Sequence, residues 1–161
     1  TCRKPPIAPR RRPDGVVTMT DIDTQRCITL AGATRALTAA MEHAASIEVP
    51  VCVAVVDRGG HLVSFARMDG APLMSAQLAQ DKGYSVVAFN GMATREWWDL
   101  IRDEPALLHG LVKTARLTVF GGGVAITEGE MVVGAVGVSG GSAEQDHEIA
   151  EAGAAEVGGC G

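Results

Sequence analysis

The sequence predicts an α+β fold, a single domain in which helices flank an antiparallel sheet. Three observations carry this. The hydrophobic pattern runs helix, hairpin, helices, strand pairs and a final helix, with too few strand–helix–strand units for a parallel sheet. The 161 residues suffice for one self-contained core. Apolar residues make up 47% and aromatics only 4%, with 20 glycines, so Ala, Val and Gly must build a closely packed interior. That composition, with charged residues at 20%, excludes a disordered chain, and no apolar run is long enough to span a membrane.

The elements follow in order. Polar residues Thr20–Thr24 offer caps for a helix in which Leu30, Ala33, Leu37, Ala40, Met41, Ala44 and Ile47 recur at three- and four-residue steps, until Pro50 stops it. Val51–Val56 is a short β-branched run and reads as a buried strand; the turn residues Asp57-Arg58-Gly59-Gly60 lead into alternation over His61–Met68, completing a hairpin. Pro72 suits the first turn of a helix over about 73–90, which Asn90-Gly91 ends. Thr94 is a cap candidate for a short helix with Trp97, Trp98 and Ile101, and Pro105 opens another through Leu108. Strands are expected at Leu117–Phe120, Val124–Thr127 and Met131–Val138, the last too apolar for a sheet edge. Ser142 and Gln145 form a capping box for the final helix, with Glu144 and Asp146 complementing its N-terminus.

The net charge of −5 hides a split: Arg3, Lys4, Arg10, Arg11 and Arg12 open the chain, leaving nine basic residues against 19 acidic from residue 13 onward. An acidic body repels nucleic acid. Residues 1–18, rich in Pro and Arg, read as a flexible arm, either foreign to the natural chain or the product of an over-long start, and Met19 opens the body (19–161). Cys2, Cys27, Cys52 and Cys160 have neither zinc-ligand spacing nor disulfide density; Cys27 and Cys52 read as buried thiols, and a reducing cytoplasm is expected.

Few motifs carry chemistry by themselves. Gly137-Val138-Ser139-Gly140-Gly141 fits G-x-S-x-G, but the only later histidine is His147, on the very next helix, so a glycine-rich strand-to-helix turn is the better reading. Gly121-Gly122-Gly123 lacks the Lys-Ser/Thr of a P-loop; it is either a hairpin kink or a ligand-facing loop. His43, His61, His109 and His147 are scattered, with His109 in a loop and His147 on the exposed side of its turn. Lys82 falls beside the buried face of an apolar helix, as a snorkelling side chain or as a cation for a carboxylate or a proton.

Together, several segments resemble the GlcG/HbpS-like, or haem-degrading domain, family. Val55–Val63 with Arg67-Met68-Asp69-Gly70-Ala71 resembles its hairpin, and Leu78–Gly83 its A-x-x-K-A helix, with Gly83 replacing alanine. Gly121–Ile126 resembles its glycine-led strand, and Val133–Gly141 with Glu144-Gln145-Asp146 and Ile149–Gly153 its most specific block. The resemblance spans about 27–157. It implies a profilin-like fold, a homo-oligomer reaching an octamer, and haem or a related tetrapyrrole as ligand, with slow haem degradation. His43 stands where an axial iron ligand is plausible, one histidine being enough for haem. The Trp97-Trp98 pair is unusual for the family at that position and suggests a pocket closed around a different ligand.

Two function classes stay open beside a ligand-free accessory protein. One is a haem-binding protein; the other is a cofactor-free lyase or isomerase in which Lys82 works with Asp69 or Glu144 as acid and base. The pocket is expected where the first helix with His43, Arg67-Met68-Asp69, Lys82 and Phe120-Gly121-Gly122 converge, Arg67 and Lys82 holding a ligand carboxylate. The alanines Ala33, Ala36, Ala40 and Ala44 are expected at the contact between subunits. Deleting residues 1–18 should leave the melting temperature within about 2 °C, because a Pro/Arg-rich arm buries little apolar area; a scanning-calorimetry loss of several degrees would show that it docks.

Overall fold

The computed structural model describes residues 24–111 and 113–158; the arm and the cap candidates at 20–23 lie outside them. The chain forms α1 (Leu30–Ser46), β1 (Cys52–Asp57), β2 (Leu62–Arg67), α2 (Ser75–Ala88), a 3-10 turn (Thr94–Glu96), α3 (Trp97–Ile101), α4 (Pro105–Leu111), β3 (Gly123–Glu128), β4 (Met131–Ser139) and α5 (Ala143–Gly158). The four strands make one sheet in the order β2-β1-β4-β3, every neighbouring pair antiparallel. The α+β expectation holds, and β4 is internal, as its apolar run required.

Alternation along the central strands divides the core between two faces. Val53 and Val55 of β1 and Val136 and Val138 of β4 turn to one face, where α1 and α5 cover them with Ala33, Ala36, Ala40, Ile149, Ala150 and Ala154. Cys52, Ala54, Val56 and Ala135 turn to the other face, against Ala79 and Val86 of α2. The helices can lie this close because the facing residues are small. At Gly137 of β4 the constraint is absolute. A Cβ there would overlap the Ala79 carbonyl oxygen and the Gly83 amide of α2.

Several local expectations are corrected. The cap of α1 is Thr29, whose hydroxyl accepts the Gly32 N–H at 3.2 Å, because Ile28 is held back by donating its N–H to the Val133 carbonyl. Leu117–Phe120 is not a strand: the Thr118 N–H donates to the Ser85 hydroxyl, and the edge begins at Gly123. The Thr94 hydroxyl caps nothing; it accepts the Gly123 N–H, and Glu96 accepts the Ala93 N–H instead. His109 lies in α4 rather than in a loop. Of the two cysteines among the described residues, Cys27 is exposed and Cys52 is buried. Ala33, Ala36, Ala40 and Ala44 are fully buried inside the subunit, so they are not available to a neighbouring one. The Ser142–Gln145 box is formed in both directions, with hydrogen bonds of 2.9 and 3.2 Å.

Gly137→Ala should destabilise the fold by about 3 kcal/mol or more, since backbone on a packed helix cannot yield to a methyl. Urea unfolding checks this; a loss below about 1 kcal/mol would mean that α2 moves freely off the sheet.

Candidate functional site

The end of β4 gathers the buried polar groups. Lys82, halfway along α2, is fully buried, and its ammonium donates to the Val138 carbonyl at 2.8 Å and to Asp146 Oδ2 at 2.7 Å. Asp146 stands in the first turn of α5, and its other oxygen accepts the Gly141 N–H at 2.8 Å. Burial pushes the Lys82 ammonium below its ordinary range, against the pull of Asp146. Burial likewise pushes the Asp146 carboxyl up, against Lys82 and the amides of Gly141 and Gly140. The two proton affinities therefore approach each other. Lys82 meets Asp146, whereas the expected carboxylates sit elsewhere: Asp69 is exposed in the turn after β2, and Glu144 is exposed in the first turn of α5.

Gly122 explains the packing around this pair. Its φ is +119°, and a Cβ there would lie 2.6 Å from Lys82 Nζ and 2.9 Å from the Asp146 Cβ. The 120–123 segment thus wraps the ammonium and carries Phe120 over it, the ring centroid 4.9 Å from Nζ. Phe120 is 46% exposed and lines a cavity of about 400 Å³.

That cavity lies between α3, the 119–121 segment and α5. Trp98, Phe120 and Gly121 line it, with Arg95 and the α5 residues Glu144, His147, Glu148 and Glu151. Trp98 lines the cavity, while Trp97 turns inward and packs edge-to-face on Phe89 at 4.4 Å. His147 is buried, not exposed as its place in a capped turn suggested. Its Nε2–H donates to Glu151 at 3.1 Å, Arg95 approaches the same carboxylate at 3.5 Å, and its Nδ1 has no hydrogen-bond partner. Burial, then the nearby Arg95 charge, push the imidazole below its ordinary value, Glu151 opposing. His43, near the end of α1, donates to Glu148 at 2.9 Å and meets the cavity only through that carboxylate. Arg67, Met68 and Asp69 do not line the cavity, so the expected convergence is split. Phe120 and Gly121 line it, Lys82 and Gly122 do not, and Arg67 lies at the exposed end of β2. Among the described residues, no group of three or more His, Cys, Asp or Glu is arranged to hold a metal ion.

His147 titrates below its unfolded value of about 6.5, so the folded state binds that proton more weakly. Its contribution to stability is complete above the unfolded value and is lost as pH falls below it. Unfolding free energies measured in urea from pH 7 to pH 5 should drop more steeply for the parent than for His147→Gln; parallel curves would mean that the imidazole charges freely in the fold.

Comparison with known proteins agrees with the sequence resemblance. Residues 28–155 match the family described as haem degrading protein HbpS-like. A 15.0 kDa protein from the dhaT–dhaS intergenic region of Citrobacter freundii is 40% identical over 126 residues, covering 77% of this chain and 87% of that one. The corrinoid adenosyltransferase PduO of Salmonella typhimurium is 38% identical over 121 residues, 74% of this chain, which spans only 35% of PduO. A solved PduOC–haem complex superposes with a TM-score of 0.74 at 34% identity, covering 81% of this chain and 95% of the other. Among the described residues, no helix is long and apolar enough to cross a membrane. The chain belongs to the HbpS-like haem-degrading protein family.

Proposed function

We propose that this chain binds haem or a related tetrapyrrole in the cavity between α3 and α5. The observation that carries the reading is the cavity wall itself. It joins two exposed rings, Trp98 and Phe120, to a neutral buried imidazole whose Nδ1 is unpartnered. Flat rings suit a planar macrocycle, and Arg95 suits one of its carboxylates. The volume of about 400 Å³ is in the range of small-ligand sites. Glu144, Glu148 and Glu151 line the same wall, so a second ligand carboxylate would face solvent. Haem-bound PduOC, similar in fold and sequence, supports the same reading.

Two imidazoles could hold the iron. His147 is in the wall, its tautomer set by Glu151 in the way second-shell carboxylates set metal-binding histidines. His43 becomes available where Glu148 releases it. Bound haem would supply a redox-active iron, through which slow breakdown of its own ring would run. The chain's residues would orient the macrocycle and exclude water from one of its faces.

A second reading is favoured by one observation. The Lys82–Asp146 pair, with proton affinities drawn together, adjoins Phe120, a residue of the cavity wall. A pair so placed suits a cofactor-free lyase or isomerase, with Lys82 and Asp146 as acid and base. For either reading we propose a homo-oligomer, up to an octamer, assembled through the exposed apolar residues Leu62 and Phe65 of edge strand β2 rather than through α1.

Titration of the protein with haemin should give a shifted Soret band that saturates, and either His147→Ala or His43→Ala should abolish the shift. Arg95→Ala should weaken binding by about ten-fold, the size of one charge-assisted contact. Unshifted spectra with the parent, or unchanged ones with both histidine variants, sink the haem reading. Light scattering that returns the monomer mass across micromolar concentrations would sink the oligomer.

A further inference from the structure

Only three of the chain's 14 cationic residues are lysines, at positions 4, 82 and 113; the other 11 are arginines. One lysine stands at the fully buried position. The distinction is chemical: a guanidinium keeps its proton under any protein condition, whereas a desolvated ammonium gives it up. Two of the Lys82 donors are taken, by the Val138 carbonyl and by Asp146. Among the described residues no third oxygen accepts from Nζ, and the Phe120 ring occupies that side. Phe120 also lines the cavity, and Gly121 and Gly122 follow it in the chain. Phe120 therefore borders both an amine and a ligand-sized space.

We propose that Lys82 is a masked nucleophilic amine that condenses with the carbonyl group of a small aldehyde or 2-oxo acid admitted to the cavity when the Phe120 ring swings aside. This rests on the second reading above and names its substrate class. The ammonium first passes a proton to Asp146. The nitrogen lone pair then attacks the carbonyl carbon, and the carbonyl π pair moves to oxygen, which takes that proton back from Asp146 to give a carbinolamine. The Lys82 nitrogen passes a second proton to Asp146, and the carbinolamine hydroxyl leaves with it as water while the nitrogen lone pair forms the C=N bond. The third of the ammonium's protons remains on that nitrogen. Ammonium and carbonyl thus become iminium and water, with no oxidant consumed and the positive charge still opposite Asp146. Burial and the adjacent carboxylate assist both proton movements. Arginine could do none of this.

The test uses the full chain with butanal or pyruvate as probe, sodium cyanoborohydride to reduce any imine, and peptide mass spectrometry to locate the adduct. Lys113, exposed, is the internal reference. Lys82 should acquire the reduced adduct in the folded parent. It should do so about ten-fold faster in Phe120→Ala and Phe120→Leu, because labelling follows the population of the uncovered state; near-UV circular dichroism confirms that both variants are folded. An adduct on Lys113 with none on Lys82 in all three proteins overturns the proposal. So does a Lys82 adduct that appears only in urea. Deuterium uptake from solvent into the methyl group of pyruvate, abolished by Asp146→Asn and without an adduct on Lys82, would retain the acid–base pair and remove the imine.

Discussion

The Lys82–Asp146 ion pair constrains the rest of the structure. Lys82 rises from α2 on one face of the sheet and Asp146 from α5 on the other, and they meet around the end of β4 at the Val138 carbonyl. Few side chains can reach from one layer to the other past a strand, and this pair does so in full burial. Such pairs add little net stability, because the loss of hydration cancels most of the attraction. Breaking one is costly, since the partner is left as an uncompensated buried charge. The pair thus acts mainly as a register pin: α2, β4 and α5 can assemble with both charges satisfied in one relative position only.

Glycine is the corollary. For Lys82 to reach the end of β4, α2 must lie nearly on the strand, which Gly137 permits; for the pair to be sealed from water, the 120–123 segment must wrap Nζ, which Gly122 permits. Sealing in turn determines where Phe120 goes. A Leu117–Phe120 strand would have set the ring in the sheet. The Ser85 hydroxyl, whose single O–H has the Asp81 and Arg116 carbonyls in reach, accepts from Thr118 and draws it toward α2 instead. The cavity exists because that segment is not a strand.

Much of the fold was legible. The three- and four-residue steps of α1, the turn residues at Asp57–Gly60, the Ser142–Gln145 box and the unbroken apolar run of β4 each specify an element locally, and each formed. The failures were long-range. Thr94 looks like a cap until a glycine 29 residues away offers its N–H. The alanines of α1 look like an intersubunit seam until α5 covers them. Asp146, read as a charge placed for a helix N-terminus, turned out to face a lysine 64 residues earlier in the chain. No spacing rule reports a contact at that separation.

One signal for the site was nevertheless present in the chain. Glu144, His147, Glu148 and Glu151 stand at i, i+3, i+4 and i+7, a single face of α5, and all four line the cavity. The apolar positions Ile149, Ala150 and Ala154 mark the opposite, core-facing side of the same helix. A helix with a buried apolar face normally turns its charges to open solvent. Here α3 and the 119–121 segment stand over that charged face, and they convert a solvated stripe into a wall. The conversion shows in the burial of His147 and in its depressed proton affinity, which ordinary exposure would not produce. It also sets the electrostatics any ligand must meet: carboxylates already engaged by His43, His147 and Arg95, and one, Glu144, engaged by none of these. A ligand that presents a flat apolar face to Trp98 and Phe120 and keeps its negative charge toward Arg95 or solvent satisfies that wall. One that buries a carboxylate beside Glu144 does not.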